Sequence, residues 1–320
     1  MRAEGRTALR LLVAGIIGFF VFRFLAREWS EIRVSAVALQ PSWSGIVLAS
    51  LCILAGYAML IAAWRLLLRT WRSPLGLVDA SRIWFVSSLG KYVPGKLWSI
   101  GAMAVLAKES GASPVAATGS AIIMQLVNLA AGFVVVALAG AGDLLVAYPV
   151  LRMAAWLTVG LSVLALGYGP ALLTWTVQRA TRLLRRPMPE MPDIPRATLV
   201  LVFVANVAAW IAYGIGFGIF WTAVLGRGGG VSLAALAVYT ASYLLGFLAL
   251  FAPGGLGVRE AVLAGLLLSL TLATPADAAL LAATSGIWLR VLEVIPGLLF
   301  LPGVSLRRRS SISHTDGPAA

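Results

Sequence analysis

Gly90-Lys91-Tyr92-Val93-Pro94-Gly95-Lys96-Leu97-Trp98 interrupts an apolar segment that runs from Val78 to Glu109. The flanks are membrane-like, but the centre holds two glycines, a proline and two lysines. Pro94 removes a backbone donor and disfavours helix at Val93. Gly90 and Gly95 permit a sharp turn. The pattern predicts a helix over 79–89, a break, and a second helix over 96–108. Broken backbone at membrane depth has to be buried in protein or face a water-filled cavity. A surface loop with interfacial tryptophans accounts for the same residues without function.

The rest of the 320-residue chain sets that break in a membrane. Apolar types make up 60% and charged types 12%, against about 45–50% and about 25% in soluble domains. That leaves too little charge to cover a water-facing surface, and too much apolar character for disorder. Spans of about 20 apolar residues cross a bilayer core. Eight are expected, over 8–26, 43–64, 115–139, 146–168, 197–225, 231–252, 255–273 and 277–302. The first resembles a signal-peptide core but lacks a clear cleavage site, and is read as an uncleaved span. The expected fold is thus all-α: a polytopic membrane bundle of about eight helices plus one re-entrant hairpin.

The net charge of +13 is arranged as loops arrange it, at the ends of apolar runs. With the N-terminus inside, the inside segments carry fifteen Lys and Arg and the outside segments four. The positive-inside rule then places both termini in the cytoplasm. It also puts both ends of segment 78–109 inside, which makes that hairpin re-entrant. If 255–273 alone turned back within the membrane, the C-terminus would fall outside and Arg307-Arg308-Arg309 would break the rule. No basic face on a soluble element points to nucleic acid. Residues 171–186 read as a basic amphipathic segment, and 187–195, with four prolines, as an extended linker. The linker divides a single bundle over 1–306 into halves 1–186 and 196–306, and 307–320 reads as a disordered cytoplasmic tail.

Cys52 stands alone, so no intrachain disulfide forms, and His314 is the only histidine. No His- and Cys-based zinc site can be assembled from this supply. No metal and no cofactor is expected.

A second break, Pro253-Gly254-Gly255-Leu256-Gly257-Val258-Arg259-Glu260, lies between two apolar runs. A Gly-rich turn that opens a helix presents free N–H groups and a positive dipole end, which suits an anion such as a lipid phosphate. A short cytoplasmic turn explains the same residues. No strand precedes it, so it is not a dinucleotide site. In the last apolar run Arg290 and Glu293 stand i, i+3, a spacing that pairs them on one helix face. They read either as a self-neutralised pair that holds the bundle or as the lining of a headgroup path. Gln125 and Asn128 share a face of the third span and fit interhelical hydrogen bonding. Gly214 and Gly218 fit small-xxx-small packing. Tyr239, Ser242 and Tyr243 add polarity to the sixth span.

The two broken stretches, Gly90 to Trp98 and Pro253 to Glu260, resemble in content, order and separation the two signature stretches of a flippase-like membrane family. It is the family named for the transmembrane region of lysylphosphatidylglycerol synthases, or multiple peptide resistance factors. The resemblance covers nearly the whole chain. It implies a polytopic plasma-membrane protein with re-entrant helices that moves lipids between leaflets. Full synthases add a soluble acyltransferase-like domain. This chain ends soon after its last span, so lysylphosphatidylglycerol synthase activity is not expected of it. Many relatives carry a Glu-Arg pair in the span after the first motif. Here that place holds Gln125-Leu126, which points to a different lipid.

The expected function is a lipid flippase or transporter for a phospholipid or other lipid-phosphate. Lys91, Lys96, Arg259 and Arg290 would attract the headgroup, with Glu260 and Glu293 balancing them or binding a cationic group or a proton. Tyr92, Pro94, Gly95, Gln125, Asn128, Pro253, Gly254, Gly255 and Gly257 complete the expected binding residues. The expected partners are membrane lipids with an anionic phosphate headgroup. No phosphate-binding Gly-x-x-x-x-Gly-Lys-Ser/Thr is present, so ATP does not drive the chain from within. Two other classes stay open: a membrane-embedded transferase on a lipid-linked substrate, and an accessory membrane subunit. General acid–base chemistry usually recruits His or paired carboxylates, and only Glu260 and Glu293 fall at membrane depth.

Overall fold

A computed structural model describes residues 41–92, 98–140, 142–183, 194–226, 229–249 and 253–312. The first expected span, Pro94, Gly95 and Lys96, most of the 187–195 linker and the tail beyond Ile312 lie outside the described residues. Within them the chain is all-α, with no strand.

Among the described residues four helices are long and apolar enough to cross a membrane. They are α1 (Trp43–Thr70), α4 (Pro114–Ala139), α7 (Arg196–Leu225) and the first part of α10 (Pro275–Ile312). Local signals set their ends. The Ser42 hydroxyl accepts from Gly45 N at 3.3 Å at the start of α1. Pro114 opens α4 behind the Ser113 cap, where a missing N–H costs nothing. Helix α7 stops at Gly226, whose φ of 65° is left-handed. Helix α1 packs along α7. Gly214 and Gly218 do bring helices close: a Cβ on Gly218 would stand 2.6 Å from Gly230 O, and one on Gly214 2.0 Å from Leu236 Cδ1.

Helix α6 (Pro149–Leu183) joins the expected fourth span to most of the basic segment in one continuous helix, after a short α5 (Asp143–Ala147). Helix α10 likewise stays helical through Arg307, Arg308 and Arg309, where the sequence reading began a disordered tail.

Two antiparallel helix pairs fill the space between the long helices. In the first, α2 (Leu77–Ser88) runs into a 3-10 turn (Leu89–Tyr92) and α3 (Trp98–Glu109) returns. In the second, α8 (Leu233–Leu248) is followed by a 3-10 turn (Pro253–Gly255) and α9 (Val258–Ser269). At 1.5 Å per residue α2, α3 and α9 are each about 18 Å long and α8 about 24 Å, all shorter than a bilayer core of about 30 Å. Helices α8 and α9 are also shorter than the full spans expected over 231–252 and 255–273.

Each pair returns to the end it came from, and the two ends are opposite. Near the start of α4, Arg82 of α2 bonds Ser110 Oγ at 2.8 Å, and Ser113 N donates to Ser73 Oγ at 3.3 Å. At the far end of α4, a Cβ on Gly140 would lie 3.4 Å from Ala237 Cβ in the first turns of α8. The hydroxyl of Tyr148, beside the same loop, bonds Ser269 Oγ at the end of α9 at 2.7 Å. The tips meet in between: a Cβ on Gly254 would stand 3.3 Å from the Tyr92 ring.

Candidate functional site

The tips carry the motif residues, and α10 passes beside both. Glu293 is buried on α10. Its Oε1 accepts from Tyr57 Oη of α1 at 2.7 Å. Its Oε2 accepts from Lys91 Nζ and, at 3.1 Å, from Tyr92 Oη at the first tip. One carboxylate therefore ties together α1, the first tip and α10. A carboxylate this buried is tolerated because its lone pairs are met and its charge is paired.

Glu260 does the same for the second tip. Its Oε2 accepts from Gly257 N at 2.9 Å, closing the first turn of α9. Its Oε1 accepts from Arg290 Nη2 at 2.8 Å and lies 3.2 Å from Arg259 Nη2. The glycines of this motif are needed for shape. Gly254, Gly255 and Gly257 all have positive φ, at 60°, 71° and 78°, a region that costs an L-residue about 1–2 kcal/mol. A Cβ on Gly255 would also stand 3.0 Å from Gly246 O. Gly286 on α10 leaves the room that the Glu260–Arg290 pair occupies.

Arg290 and Glu293 thus take partners across the bundle, at sequence separations of 30 and 202 residues, rather than the i, i+3 partner their spacing offers. The N–H of Gly257, one of those expected to meet an anion, is taken by a carboxylate of its own helix.

These groups line a cavity of about 370 Å3, within the usual range of about 300–1,000 Å3 for small-molecule sites. Of its described lining, Lys91, Arg259, Arg290 and Glu293 are charged. Counting Glu260 beneath the arginines, three cations face two carboxylates, a net charge of +1. Tyr243 and Tyr92 rings lie beside the cations, 5.7 Å from Arg259 Cζ and 5.4 Å from Lys91 Nζ, within cation–π range. Arg259 Nη2 completes no hydrogen bond among the described residues. Among those residues no cluster of three or more His, Cys, Asp or Glu side chains is placed to hold a metal.

The structure places Lys91, Tyr92, Gly254, Gly255, Arg259, Glu260, Arg290 and Glu293 together, with Gln125 and Asn128 on another wall of the same cavity. Gly257 caps α9 with open space around it. Pro253 opens the second 3-10 turn. Sequence reasoning missed Tyr57, Tyr213, Asn206 and Trp210, which also line the cavity. Asn206 had a signal, a single amide in the middle of a 30-residue apolar helix. Tyrosines and tryptophans in apolar helices read as packing.

A family model described as the lysylphosphatidylglycerol synthase TM region matches residues 7–297. No curated protein and no solved structure matches the chain.

Proposed function

The chain belongs to the lysylphosphatidylglycerol synthase TM-region family, and on that footing we propose that it moves a lipid with a phosphate headgroup between the leaflets of the cell membrane. The observation that carries this reading is the cavity at the meeting of two broken-helix tips, with one excess positive charge among its described lining and the Glu260 beneath it. Intramembrane arginines cost a few kcal/mol even on insertion scales. A singly charged phosphodiester would neutralise the surplus. No aminoacyl transfer is assigned to the chain.

The two helix pairs are read as re-entrant hairpins that enter from opposite faces. That replaces the eight expected crossings by six: residues 8–26, α1, α4, α6, α7 and α10. Residues 255–273 turning back alone, with 231–252 a full crossing, would have put the C-terminus outside. A hairpin made of both α8 and α9 keeps both termini in the cytoplasm, and the fifteen-to-four charge bias stands. Secondary transporters build midplane sites from discontinuous helices in this way. Each hairpin would close the cavity towards its own side. Lys91 would exchange Glu293 for the phosphate as the first tip moves, so a charge-paired state exists with and without lipid.

Purified protein in proteoliposomes tests the reading. Fluorescent phosphatidylglycerol in the inner leaflet should reach an impermeant quencher faster than in protein-free vesicles. Equal rates would contradict it.

A further inference from the structure

The cavity has two chemically different ends. The charged end holds Lys91, Arg259, Arg290 and Glu293. Away from these groups, across the aromatic rings, the lining of Gln125, Asn128, Asn206 and Trp210 holds no described charge. Aromatic rings separate the two. Tyr57, which donates to Glu293, packs edge-on against Tyr213 at 5.7 Å between centroids, and Tyr213 packs against Trp210 at 5.8 Å. Trp210 Nε1 in turn donates to Asn128 O at 2.9 Å.

The neutral end is built rather than incidental. Asn128 Nδ2 donates to Asn206 Oδ1 at 3.0 Å, and Asn206 Nδ2 to Val202 O at 2.8 Å. That chain fixes the Asn128 amide against the cavity. Gln125, exposed in the cavity wall, makes no hydrogen bond with the described residues. The hydroxyl of Tyr213, a residue of the cavity lining, is buried and has no partner among the described residues. Buried hydroxyls are nearly always satisfied, so this one marks a place for a ligand group.

We propose that the substrate is a phosphodiester lipid whose headgroup is uncharged and rich in hydroxyls, a polyol or a sugar. The phosphate sits at the cationic end. The hydroxyls meet Gln125, Asn128 and the Tyr213 hydroxyl, and the carbon face of the headgroup lies against Trp210. A cationic headgroup finds no carboxylate among the described residues there to replace its water. This inference rests on the preceding reading of the cavity as a lipid-phosphate site and adds the identity of the headgroup.

The test is calorimetric titration of the detergent-solubilised protein with four dihexanoyl phospholipids: glycerol, inositol, choline and phosphatidic acid headgroups. Glycerol or inositol should bind at least tenfold more tightly than choline and than phosphatidic acid. A glycerol preference would name a small polyol, and an inositol preference a ring such as a sugar. Gln125→Glu, which adds a charge at an exposed position, should narrow the gap between choline and the preferred headgroup at least fivefold. Tyr213→Phe should weaken the preferred headgroup at least threefold while leaving the melting temperature unchanged or raised, since it removes an unpartnered hydroxyl. Equal affinities, a choline preference, no binding by any of the four, or a Gln125→Glu variant with the wild-type ranking would overturn the proposal. Equal affinities alongside intact lipid translocation would overturn this inference alone. Absent translocation would overturn the transport reading instead.

Discussion

A Cβ on Gly286 would stand 2.6 Å from Glu260 Oε1 and 2.9 Å from Arg290 Nη1. The glycine on α10 is thus the space in which the second tip's carboxylate meets its arginine. Gly286→Ala should destabilise the protein by about 1–3 kcal/mol, the usual cost of overpacking, and reduce lipid translocation. Gly265→Ala is the control. It lies at an exposed position of α9 with nothing within 4 Å of its Cβ, and should stabilise by about 0.5–1 kcal/mol. Thermal melting of the two variants in one detergent checks both. Equal melting temperatures would show that the Glu260–Arg290 contact is loose.

Glu293 has three donors from two elements. Hydrogen bonds to charged groups contribute about 1.5–3 kcal/mol each. Tyr57→Phe and Tyr92→Phe should each cost in that range, and the double variant should depart from additivity because both act on one carboxylate. Lys91→Met should cost at least as much, since it leaves Glu293 buried without its cation. Adding Glu293→Gln should recover stability but not translocation. A double variant as unstable as Lys91→Met would place the Lys91 contribution elsewhere.

Opposed hairpins and eight full crossings differ at Leu256. In an eight-span protein it lies at the cytoplasmic end of the span over 255–273. At a hairpin tip it lies at mid-depth. In a background with Cys52→Ser, Leu256→Cys should resist a bulky impermeant maleimide from both sides. Asp143→Cys and Ala276→Cys should react from outside, and Glu109→Cys from the cytoplasm only. Strong cytoplasmic labelling of Leu256→Cys would restore the eight-span reading.

The contact of Gly254 with the Tyr92 ring joins the two tips. In the same background, paired cysteines at 92 and 254 should be bridged by a short bifunctional thiol reagent within one chain. Bridging should stop translocation, and cleavage of the bridge should restore it. Bridged protein that still moves lipid would show that the tips need not part.

Much of this was legible in the chain. Proline and glycine clusters at 90–95 and 253–257 break helices by local chemistry, which sequence reports directly. The partners of the charged groups were not legible, because the partner of Arg290 is set by how α9 packs on α10 and not by the neighbouring Glu293. Tyr57 and Tyr213 were missed for a related reason. Their rings pack as any aromatic ring does, and only the bundle shows one hydroxyl on a carboxylate and the other without a partner. Helix α8 reads as a full span because 231–252 is mostly apolar and carries no charged residue. Apolarity reports burial in lipid or protein alike, and the return of α9 to the same end is a tertiary fact.

The most direct measurement is the rate of phosphatidylglycerol translocation in proteoliposomes by Arg259→Gln against wild type. Arg259 Nη2 completes no hydrogen bond among the described residues, and Arg290 still pairs with Glu260 without it, so the fold should hold. A fall of at least tenfold, with a melting temperature within a few degrees of wild type, is the result predicted. An undiminished rate in folded Arg259→Gln would contradict a lipid path through the charged cavity.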